Sequence, residues 1–247
     1  MSNPAILAAH AIPSRLAFEA SPLGGPVARL THGNAQALVA LHGAQVLNWV
    51  VEGHGLLWLS PVARIRAGKG IRGGIPVCWP WFADHPEAPK KPAHGFVRHR
   101  EWQVAATNAS DDAVSITLAT AVTDAERSLW PHRAEARLTV SLGDALSLWL
   151  ETHNTGTAPF PLTEALHTYF RVSDIDNVSV FGLEGSTYLD KLESFGRKTQ
   201  AGAITVPAEV DRIYLGDTSH ITLEDRGSAR RVHIASTGSC SAVVWNP

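Results

Sequence analysis

The most regular signal along the chain is an alternation of apolar and polar residues with a period of two. In Arg137-Leu138-Thr139-Val140-Ser141-Leu142 the apolar side chains all fall on one face of an extended segment. Gly143-Asp144 then supplies turn residues, and Leu146-Ser147-Leu148 with Leu150 resumes the alternation, which predicts a β-hairpin. The pattern recurs at Val114-Ser115-Ile116-Thr117-Leu118, Val178-Ser179-Val180-Phe181 and Val232-His233-Ile234. Turn residues punctuate the intervals, as in His32-Gly33-Asn34 and Ser236-Thr237-Gly238-Ser239. No long stretch carries a helical period. Many short strands separated by turn signals predict an all-β fold, an antiparallel sandwich or barrel.

All-β chains of 247 residues routinely fold as one domain. No Gly/Ser linker, low-complexity tract or short internal repeat interrupts this one, so a single domain over residues 1–247 is expected. One stretch departs from the strand pattern. Pro76, Pro80, Pro86, Pro89 and Pro92 disfavour central strands between Gly68 and Arg98, because proline has no N–H for the ladder. The expectation there is an ordered, irregular loop, the kind of segment on which binding groups tend to sit.

Composition narrows the function classes. No run approaches the roughly 18 uncharged apolar residues of a membrane span. The opening Met-Ser-Asn-Pro-Ala-Ile-Leu-Ala-Ala-His lacks a basic n-region, and His10 and Pro13 break its short apolar stretch. A soluble, cytoplasmic protein without a membrane partner is expected, as a monomer or a weak homodimer. Cys78 and Cys240 make neither a disulfide framework nor a metal quartet, and both are expected to be buried free thiols. A net charge of −2 argues against nucleic acid as a partner. The charge is unevenly spread, however. Between Val62 and Arg100 stand Arg64, Arg66, Lys69, Arg72, Lys90, Lys91, Arg98 and Arg100 against only Asp84 and Glu87. Such an excess is either a solvated basic loop or a site for an anionic ligand.

The same region holds the candidate chemistry. Gly68-Lys69-Gly70-Ile71-Arg72-Gly73-Gly74-Ile75-Pro76 lacks the spacing of a Walker loop or a dinucleotide fingerprint, so no nucleotide cofactor is expected. It does set Arg72 beside two glycines that would let a ligand approach the backbone. His94-Gly95-Phe96-Val97-Arg98 offers a second guanidinium, a group that grips phosphate through paired charged hydrogen bonds. Trp79, Trp81, Phe82 and Phe96 are either core or an apolar face for a pyranose. The histidines show no metal-binding spacing, so no metal is expected. His167 stands apart, embedded in Thr163-Glu164-Ala165-Leu166-His167-Thr168-Tyr169-Phe170. It is either a satisfied core histidine or a shielded imidazole that titrates near neutrality and protonates an oxygen.

Six words in order carry a family resemblance: Ile-Arg-Gly-Gly-Ile-Pro (71–76), Trp-Pro-Trp-Phe (79–82), His-Gly-Phe-Val-Arg (94–98), Ala-Leu-His-Thr-Tyr-Phe (165–170), Glu-Val-Asp-Arg-Ile-Tyr (209–214) and Val-Val-Trp-Asn-Pro (243–247). Together they resemble the glucose-6-phosphate 1-epimerase branch of the aldose 1-epimerase family, from about residue 20 onward, with the N-terminal 20 or so residues peripheral. The resemblance implies a galactose-mutarotase-like antiparallel β-supersandwich. It also implies cofactor-free interconversion of the α and β anomers of a hexose 6-phosphate by general acid and base catalysis. His167 matches the family's acid, which protonates the ring oxygen, and His94 a histidine that helps polarise it. Arg72 and Arg98 match the pair that holds the phosphosugar, and Asp211 an aspartate that binds sugar hydroxyls. All five are expected on one concave surface.

The family's base is a glutamate on a strand after the Trp-Asn-Pro word, and no residue up to Pro247 matches it. The C-terminal strands of the pattern are therefore expected to be absent. Glu164 lies an odd number of residues from His167 and so on the opposite strand face, whereas Glu209 shares a face with Asp211 and is the better substitute. Two rival readings share the features: a sugar-phosphate-binding protein of the same fold without turnover, and a lectin-like carbohydrate-binding module.

Overall fold

The computed structural model describes residues 3–85, 88 and 90–247, so Pro86, Glu87 and Pro89 of the proline-rich stretch lie outside the described residues. The chain forms two compact units, residues 1–171 and 172–247.

The first unit opens with a short helix, α1 (Pro4–Ala9), capped by the Asn3 side chain, which accepts from the Ala5 N–H. An antiparallel five-stranded meander follows: β1 (Leu16–Ala20), β2 (Pro26–His32), β3 (Ala35–Ala40), β4 (Gln45–Val51) and β5 (His54–Gly55). The irregular segment then contributes one short strand, β6 (Val77–Cys78). A second meander comprises β7 (Gln103–Ala109), β8 (Val114–Ala121), β9 (Ala134–Leu142) and β10 (Leu146–Asn154). Finally β11 (Ala165–Leu166) returns to pair with β6.

The expected hairpin is β9–β10, with Leu138 opposite Leu150, Val140 opposite Leu148 and Leu142 opposite Leu146. Its register follows the period-two pattern, because a slip by one residue would turn every leucine to the wrong face. Val114, Ile116 and Leu118 of β8 and Leu138, Val140 and Leu142 of β9 are fully buried, in one core with Leu30, Val39 and Val46 of the first meander. Trp79, Trp81 and Phe96 belong to that core, so these aromatics are packing residues; only Phe82 of the four stays half-buried, against His94.

The second unit holds two antiparallel sheets. With β12 (Val178–Phe181), β13 (Thr187–Asp190), β14 (Gly196–Thr199), β15 (Val210–Leu215), β16 (His220–Asp225), β17 (Arg230–Ala235) and β18 (Ser241–Asn246), the strand orders are β12-β16-β17 and β14-β13-β15-β18. Asp225 at the end of β16 is buried and accepts from the amide and hydroxyl of Ser173 and from the Ser228 amide. Burial alone would raise its carboxyl, but the Ser173 and Ser228 donors outweigh it and hold the group at about 2.

One expectation fails. Cys78 is buried in β6, but Cys240 is exposed, because it sits in the turn before β18 rather than on an inward strand position.

Candidate functional site

The site is built where two irregular runs of the first unit lie side by side. The His167 amide donates to the Pro76 carbonyl at 3.0 Å and the Tyr169 amide to the Gly74 carbonyl at 2.9 Å, extending the β6–β11 pairing beyond Leu166. Side chains two apart on an extended segment share a face. His167 and Tyr169 accordingly stack, with ring centroids 4.8 Å apart and planes 17° apart.

His94 reaches the same place by a different route. It has φ +63° and is followed by Gly95 at +71°, two successive left-handed residues. For histidine this backbone costs about 1–3 kcal/mol. The conformation is fixed locally, since the His94 amide donates to the Ala83 carbonyl at 2.7 Å and the Ala83 amide returns a bond to Nδ1 at 3.1 Å. That donor assigns Nδ1 as the acceptor, which leaves the proton of the neutral ring on Nε2. Only glycine fits at 95, because a Cβ there would lie 1.8 Å from the Trp79 carbonyl oxygen. The His94 ring stands edge-on to His167, 5.9 Å between centroids.

Arg72, His94, Arg98 and His167 line one cavity of about 170 Å³ together with Gly70, Ile71, Pro76 and Tyr169. Arg72 is exposed and Arg98 half-buried. One Arg98 Nη donates to the Ala93 carbonyl at 3.1 Å, whereas its buried Nε has no hydrogen-bond partner among the described residues. The electrostatics follow from burial and from the two guanidinium groups. Burial pushes the Tyr169 phenol up against the opposing pull of Arg72 and Arg98, so its hydroxyl stays protonated at neutral pH and can donate. Burial pushes the Cys78 thiol up to about 12, with Arg98 opposing. Burial and then the charges of Arg98, His42 and Lys69 push His99 down. No carboxylate is among the eight lining residues.

The remaining candidates are not among the eight lining residues. Asp211 belongs to the second unit, on β15, where Lys191 donates to its carboxylate. Glu209 is exposed just before that strand. Glu164 does not line the cavity; it accepts from the Thr152 hydroxyl, which in turn accepts from the Trp79 indole N–H, each at 2.9 Å. Burial raises the Glu164 carboxyl, against the effect of the Thr152 bond. Sequence reasoning did not single out Tyr169 or Gly70; for Tyr169 the signal was present, in its two-residue spacing from His167.

The fold finds counterparts among solved proteins. A "putative mutarotase" from Salmonella typhimurium superposes with a TM-score of 0.87 at 32% identity, over 96% of this chain and 78% of that one. A galactose mutarotase related enzyme from Lactobacillus acidophilus gives 0.73 at 14% identity, over 89% and 80%, and so speaks to the fold alone. The architecture is thus galactose-mutarotase-like.

The profile of the aldose 1-epimerase family matches residues 26–247, and the chain belongs to that family. Relatives named "Putative glucose-6-phosphate 1-epimerase" are 40% identical in Cenchrus ciliaris, over 87% of this chain and 68% of the relative, and 35% identical in Salmonella typhimurium, over 87% and 72%.

Proposed function

We propose that the protein interconverts the α and β anomers of a hexose 6-phosphate. The observation that carries this reading is the convergence of Arg72, Arg98, His94 and His167 on one cavity, which joins an anion grip to two proton-transfer groups. The names of the relatives point to the same substrate.

In the reaction, the C1 hydroxyl loses its proton, the bond between C1 and the ring oxygen breaks, and the ring oxygen gains a proton, leaving an open-chain aldehyde. Rotation about the C1–C2 bond and closure on the other face give the other anomer. His167 gives the proton to the ring oxygen, and His94, presenting Nε2–H, polarises that oxygen. Arg72 and Arg98 hold the phosphate. No carboxylate that could accept the C1 proton is among the eight residues that line the cavity.

A charged hydrogen bond to phosphate is worth roughly 1.5–3 kcal/mol. Arg98→Ala is therefore expected to weaken binding of glucose 6-phosphate by about 10- to 100-fold while barely changing weak binding of free glucose. Titration calorimetry with both sugars checks this; equal losses would remove Arg98 from the phosphate. Binding of the phosphosugar without any anomer exchange by NMR would favour a binding protein over an epimerase.

A further inference from the structure

Two buried polar side chains hold the cavity loop from behind. His42 is 5% exposed, and its Nε2 lies 2.7 Å from the Lys69 carbonyl oxygen. Gln45, fully buried, donates through Nε2 to the carbonyls of Ile71 at 3.2 Å and Gly73 at 2.5 Å. The carbonyls of residues 69 and 71 are thereby directed into the protein.

A trans peptide is planar, with its N–H opposed to its C=O. When the Lys69 carbonyl faces His42, the Gly70 N–H faces away from it; when the Ile71 carbonyl faces Gln45, the Arg72 N–H faces away from Gln45. Gly70, Ile71 and Arg72 line the cavity. Neither the Gly70 nor the Arg72 amide donates to any acceptor among the described residues, whereas the Gly74 amide donates to the Trp58 carbonyl at 2.7 Å. The Arg98 Nε, likewise without a partner, lies beside Gly70: a Cβ built there would be 3.5 Å from it.

We infer that the Gly70 and Arg72 amides form a backbone cradle for the phosphate of the sugar, and that Gln45 and His42 are positioning residues that aim it. The inference rests on the phosphosugar reading above. Amides at alternate positions of an extended run present two N–H donors on one face, as the edge of a sheet does to an anion, and beside two guanidinium groups they add fixed donors that need no side-chain ordering. Gln45 and His42 touch no substrate; they set the direction of two peptide planes.

The direct test is titration of ¹⁵N-labelled wild-type protein with inorganic phosphate. The Gly70 and Arg72 amide protons should move downfield, with the Gly74 amide as the internal comparison. Two pairs of variants carry the same question to affinity. The φ of Gly70 lies outside the left-handed region, and a Cβ there makes only ordinary contacts, so Gly70→Ala and Gly70→Pro add similar bulk but only proline removes the N–H. Gly70→Pro should bind phosphate about 10-fold more weakly than Gly70→Ala. His42→Gln, which keeps an N–H donor, should bind more tightly than His42→Leu, and Gln45→Met should lose the Arg72 amide shift. Phosphate binding that depends on Arg98 while the Gly70 and Arg72 amides stay unmoved would overturn this assignment alone. Failure of the wild-type protein to bind inorganic phosphate or glucose 6-phosphate would overturn the phosphosugar reading with it.

Discussion

Replacing His167 with alanine is expected to slow anomer exchange of α-glucose 6-phosphate by about 10²- to 10⁴-fold, the usual contribution of one positioned proton donor. The backbone at 167 is held by its own amide bond to Pro76, which the substitution leaves intact. What is lost is the imidazole that stacks on Tyr169 and faces His94. Phosphate binding should therefore persist in the variant, with the loss concentrated in kcat. Exchange NMR at saturating substrate measures it, and an unchanged rate would transfer the acid role to His94.

The second large effect is one of stability. Gly95→Ala places a Cβ 1.8 Å from the Trp79 oxygen and 2.3 Å from its carbonyl carbon, both backbone atoms of a fully buried residue. The left-handed φ of +71° adds its own penalty. Backbone cannot swing aside as a flexible side-chain tip would, so a loss of about 3 kcal/mol or more is expected. Denaturant unfolding followed by tryptophan fluorescence measures it. A variant as stable as the parent would mean that the two segments do not approach this closely. Any folded Gly95→Ala protein should also bind and turn over poorly, because His94 is set by the same backbone.

The β9–β10 hairpin was legible in the sequence because its information is local: alternation on either side of a turn fixes both element and register. Strands β8, β12 and β17 were legible for the same reason. The grouping of Arg72, His94, Arg98 and His167 was not periodic at all. Three irregular segments supply these residues, and only the recurrence of family words indicated that they belong together. Gln45 and His42 left no trace, because a buried polar side chain reads as part of a strand end until the carbonyls it satisfies, more than 20 residues away, are seen beside it. The exposure of Cys240 was missed because the apolar residues beginning at Ala242 suggested an inward strand two residues too early.

Those two cysteines differ in a way that turns the chain into its own reporter. Only the thiolate reacts with disulfide reagents. Cys240 stands in solvent and offers a natural attachment point for a dye on the second unit. Cys78, buried and with its thiol held up at about 12, becomes reactive only when the first unit opens. The rate at which it is captured counts openings of the segment that carries His167, so ligand occupancy of the cavity can be followed as protection of a single native sulfur, with no label introduced near the chemistry.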